Sequence, residues 1–156
     1  MSEYSSIKDA LDETGTYTGL TRGISMEPML HQGRDNIIVI KNKERLKKYD
    51  IPVYLLPSGK YVMHRIIDVK DDHYVILGDN CINKEIVTDD MICGELVGFY
   101  KNGKRYIDLK KNKLYKFYAR LWVALIPVKP AVVFVVKGFS YVRRHFFTRK
   151  DNSSGE

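Results

Sequence analysis

The sequence predicts a mainly β fold, a β-rich core over residues 16–110 followed by a basic amphipathic helical segment over residues 111–150. Three observations predict it. Short runs rich in Ile, Val, Tyr and Leu recur through the first two thirds of the chain, each bounded by turn-forming residues. Asn102-Gly103 separates two such runs, which is the strongest short-range hairpin signal. After Lys110 the apolar residues change to helical spacing.

The elements follow in order. Residues 1–15 form a short N-terminal unit: Ser5 or Ser6 caps a helix through Leu11, with Ile7, Ala10 and Leu11 on one face, and Gly15 ends it. Residues 16–20 form a strand. Ile37-Ile38-Val39-Ile40 is a second, and Ile51-Pro52-Val53-Tyr54-Leu55-Leu56 a third, with Pro52 near its start as an edge or entry strand permits. The turn Pro57-Ser58-Gly59-Lys60 returns the chain into a strand over residues 61–69. Asp71-Asp72 turns it again into residues 73–77, and residues 96–100 and 105–109 form the Asn102-Gly103 hairpin. Many short strands at close intervals argue for a partly closed sheet. In the helical segment Leu114, Phe117, Tyr118, Leu121, Trp122 and Leu125 share one face, with Lys113, Lys116 and Arg120 opposite. Pro127 and Pro130 break the pattern before a second apolar stretch over residues 131–136. Residues 151–156 read as a disordered tail.

At 156 residues the chain is one domain with an appendage, and its hydrophobic content suffices for a core. A formal charge of +7 favours acidic partners. Two cysteines, Cys81 and Cys93, are too few for a disulfide scaffold and lack metal-site spacing, and reduced thiols fit a cytosolic protein. The first residues carry no apolar stretch, so no secretory signal is expected. No window of about 20 residues escapes charge or proline, so a membrane span is not expected either.

Three short segments carry the chemistry: Gly23-Ile24-Ser25-Met26-Glu27-Pro28, then Met63-His64-Arg65, then Gly78-Asp79-Asn80. Acyl transfer to serine needs a nucleophile on a constrained turn, a neutral base, a group that orients the base and donors for the oxyanion. Ser25 is the candidate nucleophile. Gly23 leaves room for a substrate backbone, and Pro28 stiffens the segment after it. Gly23, Ile24, Met26 and Pro28 frame the oxyanion and substrate side, whose donors are most simply the backbone N–H of Ser25 and a neighbour. His64 is the candidate base, because imidazole titrates near about pH 6.5 and is largely neutral at pH 7. Asp79 is the candidate orienting acid. His31 and His73 rank below His64, since nothing apolar and regular surrounds them, and His145 lies in the basic C-terminal stretch.

At these residues the chain resembles the clan of type I signal peptidases and LexA-like self-cleaving repressors. That clan carries a Gly-x-Ser-Met-x-Pro box, a base segment ending in Lys-Arg or His-Arg, and a Gly-Asp-Asn box. The His64-Arg65 pair is most similar to the endoplasmic-reticulum-type signal peptidases, which use Ser, His and Asp. Ile92-Cys93-Gly94-Glu95-Leu96-Val97-Gly98 looks like the closing strand, with Asp89 and Asp90 shortly before it as alternative orienting acids. The resemblance covers roughly residues 17–100. It implies a signal-peptidase/LexA-like β-rich catalytic core and endopeptidase activity, with small residues preferred at the cut and neither metal nor cofactor.

The signal peptidases carry an N-terminal membrane anchor and the repressors a DNA-binding domain. Fewer than about twenty residues precede the first expected strand here, so the expectation is a free-standing cytoplasmic peptidase acting on a peptide or protein, a leader peptide among the options. The stretch from Leu114 to Phe147 has two readings: helices on an anionic membrane surface, which would make the protein peripheral to the inner membrane face, or a helical hairpin packed on the sheet. Nucleic acid is not an expected partner, because aliphatics interrupt the basic residues. The rival functions are a non-catalytic binding module anchored by this stretch and a self-cleaving regulator.

Overall fold

The computed structural model describes residues 4–42 and 44–128. The chain is mainly β, built on a curled antiparallel half-barrel sheet. Helix α1 (Ile7–Thr14) starts where the Ser6 side chain accepts from the Asp9 backbone N–H, and it runs a turn beyond the expected Leu11. Gly15 closes it at φ 75°, a left-handed conformation that favours glycine, and its N–H returns to the Leu11 carbonyl. Ala10 and Leu11 are the buried face.

The larger sheet runs β1 (Thr16–Leu20), β2 (Asn36–Ile40), β8 (Ile92–Lys101), β3 (Pro52–Leu55) and β4 (Tyr61–Met63), with β9 (Arg105–Asp108) also on β8. The smaller sheet is β5 (Arg65–Val69), β6 (Tyr74–Leu77) and β7 (Glu85–Val87). All strand pairs are antiparallel. Strand β8 begins earlier than the hairpin signal suggested, at Ile92, and its length lets it hold β3 near one end and β9 near the other. The strand expected over residues 61–69 is two strands in different sheets. The break falls on His64, so the candidate base sits where the chain crosses from one sheet to the other.

Two apolar clusters hold these sheets. Leu11, Met26, Leu30, Ile37, Val39, Ile51, Val53, Leu96, Phe99 and Leu109 form the first. Leu46, Tyr54, Ile66, Tyr74, Ile76 and Val87 form the second. Strand β3 belongs to both: Val53 enters the first and Tyr54 the second, as alternation along a strand requires. A register shift between these two residues, where β3 meets β8, marks the same point.

Helix α2 (Lys113–Ala124) follows β9. Its inward face corrects the helical reading of the sequence. Tyr115, Tyr118, Ala119 and Trp122 turn inward, whereas Leu114 is 78% exposed, Phe117 67% and Leu121 47%. The described residues up to Val123 form one compact unit. A second unit starts at Ala124, and its described residues include a 3₁₀ turn, Ile126–Val128. The second apolar stretch, His145 and the tail from residue 151 lie outside the described residues. Among those described, no helix is long and apolar enough to cross a membrane, and no group of three His, Cys, Asp or Glu could hold a metal ion.

Candidate active site

The Ser25 turn belongs to a long loop between β1 and β2, and that loop is fastened at both ends. Thr21 donates its N–H and its hydroxyl to the Asp35 carbonyl, at 2.9 and 2.8 Å. The Asp35 carboxylate accepts from Arg34, from the His31 N–H at 3.0 Å and from the Asn102 N–H at 3.0 Å. Between these anchors Met26 and Leu30 sink into the first core, 2% and 0% exposed. Ser25 is therefore half-buried beside a fixed neighbour, while Ile24 stands out at 59% exposure. Gly23 and Pro28 lie on the exposed side of the same turn.

The Gly78-Asp79-Asn80 segment is stitched onto this turn. The Asn80 N–H donates to the Ser25 carbonyl at 2.8 Å, and the Asn80 side-chain amide donates to the Ile24 carbonyl at 3.2 Å. Gly78 fills the remaining gap. A Cβ placed on it would lie 2.9 Å from the Ser25 carbonyl oxygen, 3.0 Å from His64 Cδ2 and 2.7 Å from Cys81 Sγ. Ser25 and His64, far apart in sequence, thus both border one glycine. Glycine is required because no side chain fits between them.

His64 is buried, and its Nδ1 edge meets two groups. The Tyr54 hydroxyl oxygen lies 3.1 Å away and Glu85 Oε1 3.3 Å away. The Tyr54 hydroxyl donates its only hydrogen to Glu85 Oε2, at 2.6 Å. The Tyr54 oxygen can then only accept from His64, so the proton of the neutral imidazole resides on Nδ1 and Nε2 is left basic. Burial holds the His64 pKa below its ordinary value, against the raising influence of the Glu85 and Asp79 charges. Burial and the Glu85 carboxylate push the Tyr54 phenol far up, so it stays protonated as a donor.

Asp79, the expected orienting acid, is engaged mainly by Arg65. Asp79 forms a two-pronged ion pair with Arg65, at 2.8 and 2.7 Å, with both side chains 1% exposed. Tyr118 of α2 donates to the same carboxylate at 3.1 Å, and the Trp122 indole N–H donates to the Asp79 carbonyl at 3.0 Å. Tyr115 accepts from Arg65 at 2.7 Å. Asp79 therefore reaches His64 through its charge, while Glu85 takes the Nδ1 side. The alternative acids stand elsewhere: Asp89 accepts from the Tyr74 hydroxyl at 2.5 Å, and Asp90 is exposed on the same 3₁₀ turn, Asp89–Met91. The competing histidines are also engaged away from Ser25, His31 with Arg34 at 2.8 Å and His73 with Asp72 at 2.7 Å.

Sequence reasoning missed Glu85 and Tyr54. Glu85 opens the short apolar run Glu85-Ile86-Val87 after the Gly-Asp-Asn box, a carboxylate at a strand start that could have raised it as a candidate. Tyr54 lies inside an apolar run and carries no comparable signal. No protein-family profile matches the chain, and no curated protein or solved structure matches it either.

Proposed function

We propose that this protein is a serine endopeptidase of the signal-peptidase type, working on a peptide or protein by Ser-His acyl-enzyme chemistry. The reading rests on the resemblance at residues 23–28, 64–65 and 78–80, and its β-rich core is taken as the core of that clan. One observation carries it: a buried histidine whose Nδ1 edge is occupied by Glu85 and the Tyr54 hydroxyl, bordering the same glycine as the Ser25 turn.

In this mechanism His64 Nε2 accepts the Ser25 Oγ proton as Oγ attacks the scissile carbonyl. Glu85 and Tyr54 hold the ring and stabilise the imidazolium that forms. Backbone N–H groups of the Ser25 turn receive the oxyanion. The imidazolium then protonates the departing amine, and water activated by His64 releases the acyl group from Ser25. The substrate runs extended beside the serine segment, as an added strand.

The test compares wild type with Ser25→Ala and His64→Ala on a proteome-derived peptide library, reading new N-termini by mass spectrometry. Cleavage that falls by at least about 10²-fold in each variant is expected. Equal cleavage by wild type and variants, or none by wild type, overturns the reading in favour of a binding module. Cleavage confined to the chain itself points to a self-cleaving regulator.

A further inference from the structure

Helix α2 shows two different surfaces to solvent. At about 100° per residue, Leu114, Phe117 and Leu121 form one ridge, and Lys113, Lys116 and Arg120 form the stripe next to it. The ridge residues are 78, 67 and 47% exposed, far more than a helix needs to leave uncovered. The basic stripe does not end at the helix. Lys116 and Arg120 line a cleft of about 500 Å³ together with Arg45, Lys47, Lys48 and Lys110, which come from other parts of the chain. The acidic residues there are Glu44, Asp50 and Glu95, and Lys110 bridges the last two. Six cations therefore stand against three carboxylates in the cleft.

We infer that α2 and this cleft form a docking surface for an anionic membrane, with the apolar ridge entering the headgroup boundary and the cleft receiving lipid phosphates. The argument is charge complementarity joined to hydrophobicity. A nucleic-acid backbone would use the cations and leave the ridge in water, and a second copy of this chain would bring like charges together. An anionic lipid surface satisfies both halves of the helix at once. The surface extends beyond the C-terminal stretch, because Arg45, Lys47 and Lys48 come from the loop between β2 and β3. It does not depend on catalysis, so Ser25→Ala is expected to bind as wild type does.

The experiment is co-sedimentation of the full chain with vesicles of phosphatidylcholine alone or mixed with phosphatidylglycerol. Wild type and Ser25→Ala are expected to bind the anionic vesicles at least about tenfold more tightly than the neutral ones. A Leu114→Ala, Phe117→Ala, Leu121→Ala variant and a Lys47→Glu, Lys116→Glu, Arg120→Glu variant should each lose at least about tenfold. Far-UV circular dichroism confirms the fold of both, and Phe117→Ala alone serves if the triple ridge variant unfolds. Unchanged vesicle binding by the ridge variants, or no anionic preference in wild type, overturns the proposal. So do ridge-dependent dimers in lipid-free solution, and equally tight, ridge-dependent binding to duplex DNA.

Discussion

The Asp79 carboxylate is tied to Arg65 on both oxygens, with both side chains almost fully buried. Glu85 is 39% exposed on its side chain and meets His64 and Tyr54. The two acids should fail differently when neutralised. Glu85→Gln keeps the shape and removes the charge that opposes burial at His64, so the His64 pKa moves further down. If His64 is the base, the acid limb of kcat/KM is expected below the ordinary imidazole value in wild type and lower still in Glu85→Gln, with the plateau reduced by about 10²-fold and folding stability little changed. Asp79→Asn instead leaves a buried guanidinium without its charge partner, which should cost on the order of 3–5 kcal/mol in urea unfolding. A pH–rate profile and a denaturation curve for each variant decide the matter. Rate loss without stability loss at Asp79 would make Asp79 the orienting acid. The sequence singled out Ser25, His64 and Asp79 as candidates because each sits in a compact local motif. The Glu85 contact was not legible, because it joins residues of strands in different sheets.

Among the connecting segments, the Gly78-Asp79-Asn80 loop is what sets Ser25 beside His64. Its two bonds to the carbonyls of Ile24 and Ser25 act as a clamp, and Gly78 supplies the clearance. Gly78→Ala puts a methyl against the Ser25 backbone oxygen, which cannot rotate away as a side-chain tip could. The serine turn must move, and a displacement of about 1 Å in such a geometry costs about 10²-fold in rate. The expected result is a kcat/KM lower by that factor; activity within twofold of wild type would show that the loop does not set the distance. The helices were legible in part. Periodicity located α2, yet its inward face is made by Tyr115, Tyr118 and Trp122, whose hydroxyl and indole groups reach Arg65 and Asp79, with the small Ala119 buried beside them. Of the expected apolar face Tyr118 and Trp122 turn inward, whereas Leu114, Phe117 and Leu121 are exposed, so hydrophobic spacing alone placed the face only in part.

For the molecule as a whole, acid sensitivity should arise at the anchors of the serine loop. Burial raises the Asp35 carboxyl, but Arg34 and the N–H groups of Asn102 and His31 outweigh it and hold it at about 2, against an ordinary value of 3.8. The stability this contributes is present above about pH 4 and is lost as pH falls toward 2. His64 acts in the same direction at higher pH. It stays neutral in the fold below 6.5, where the unfolded chain takes up its proton, so stability declines as pH drops through that range. Urea unfolding of Asp35→Asn should therefore show a flatter slope of stability against pH below about pH 4 than wild type. Parallel slopes would place the acid sensitivity elsewhere. By itself the sequence determined the mainly β class, the short N-terminal helix, the region of α2 and the three motifs, because strand runs, turn residues and helical period are local properties. Only the tertiary structure decided that the expected strand over residues 61–69 breaks at His64, that Glu85 and Tyr54 meet its Nδ1 edge, and that Asp79 belongs to Arg65. Each of these depends on which strands pair across two sheets and which face of α2 closes on them, and no local pattern in the chain encodes that choice.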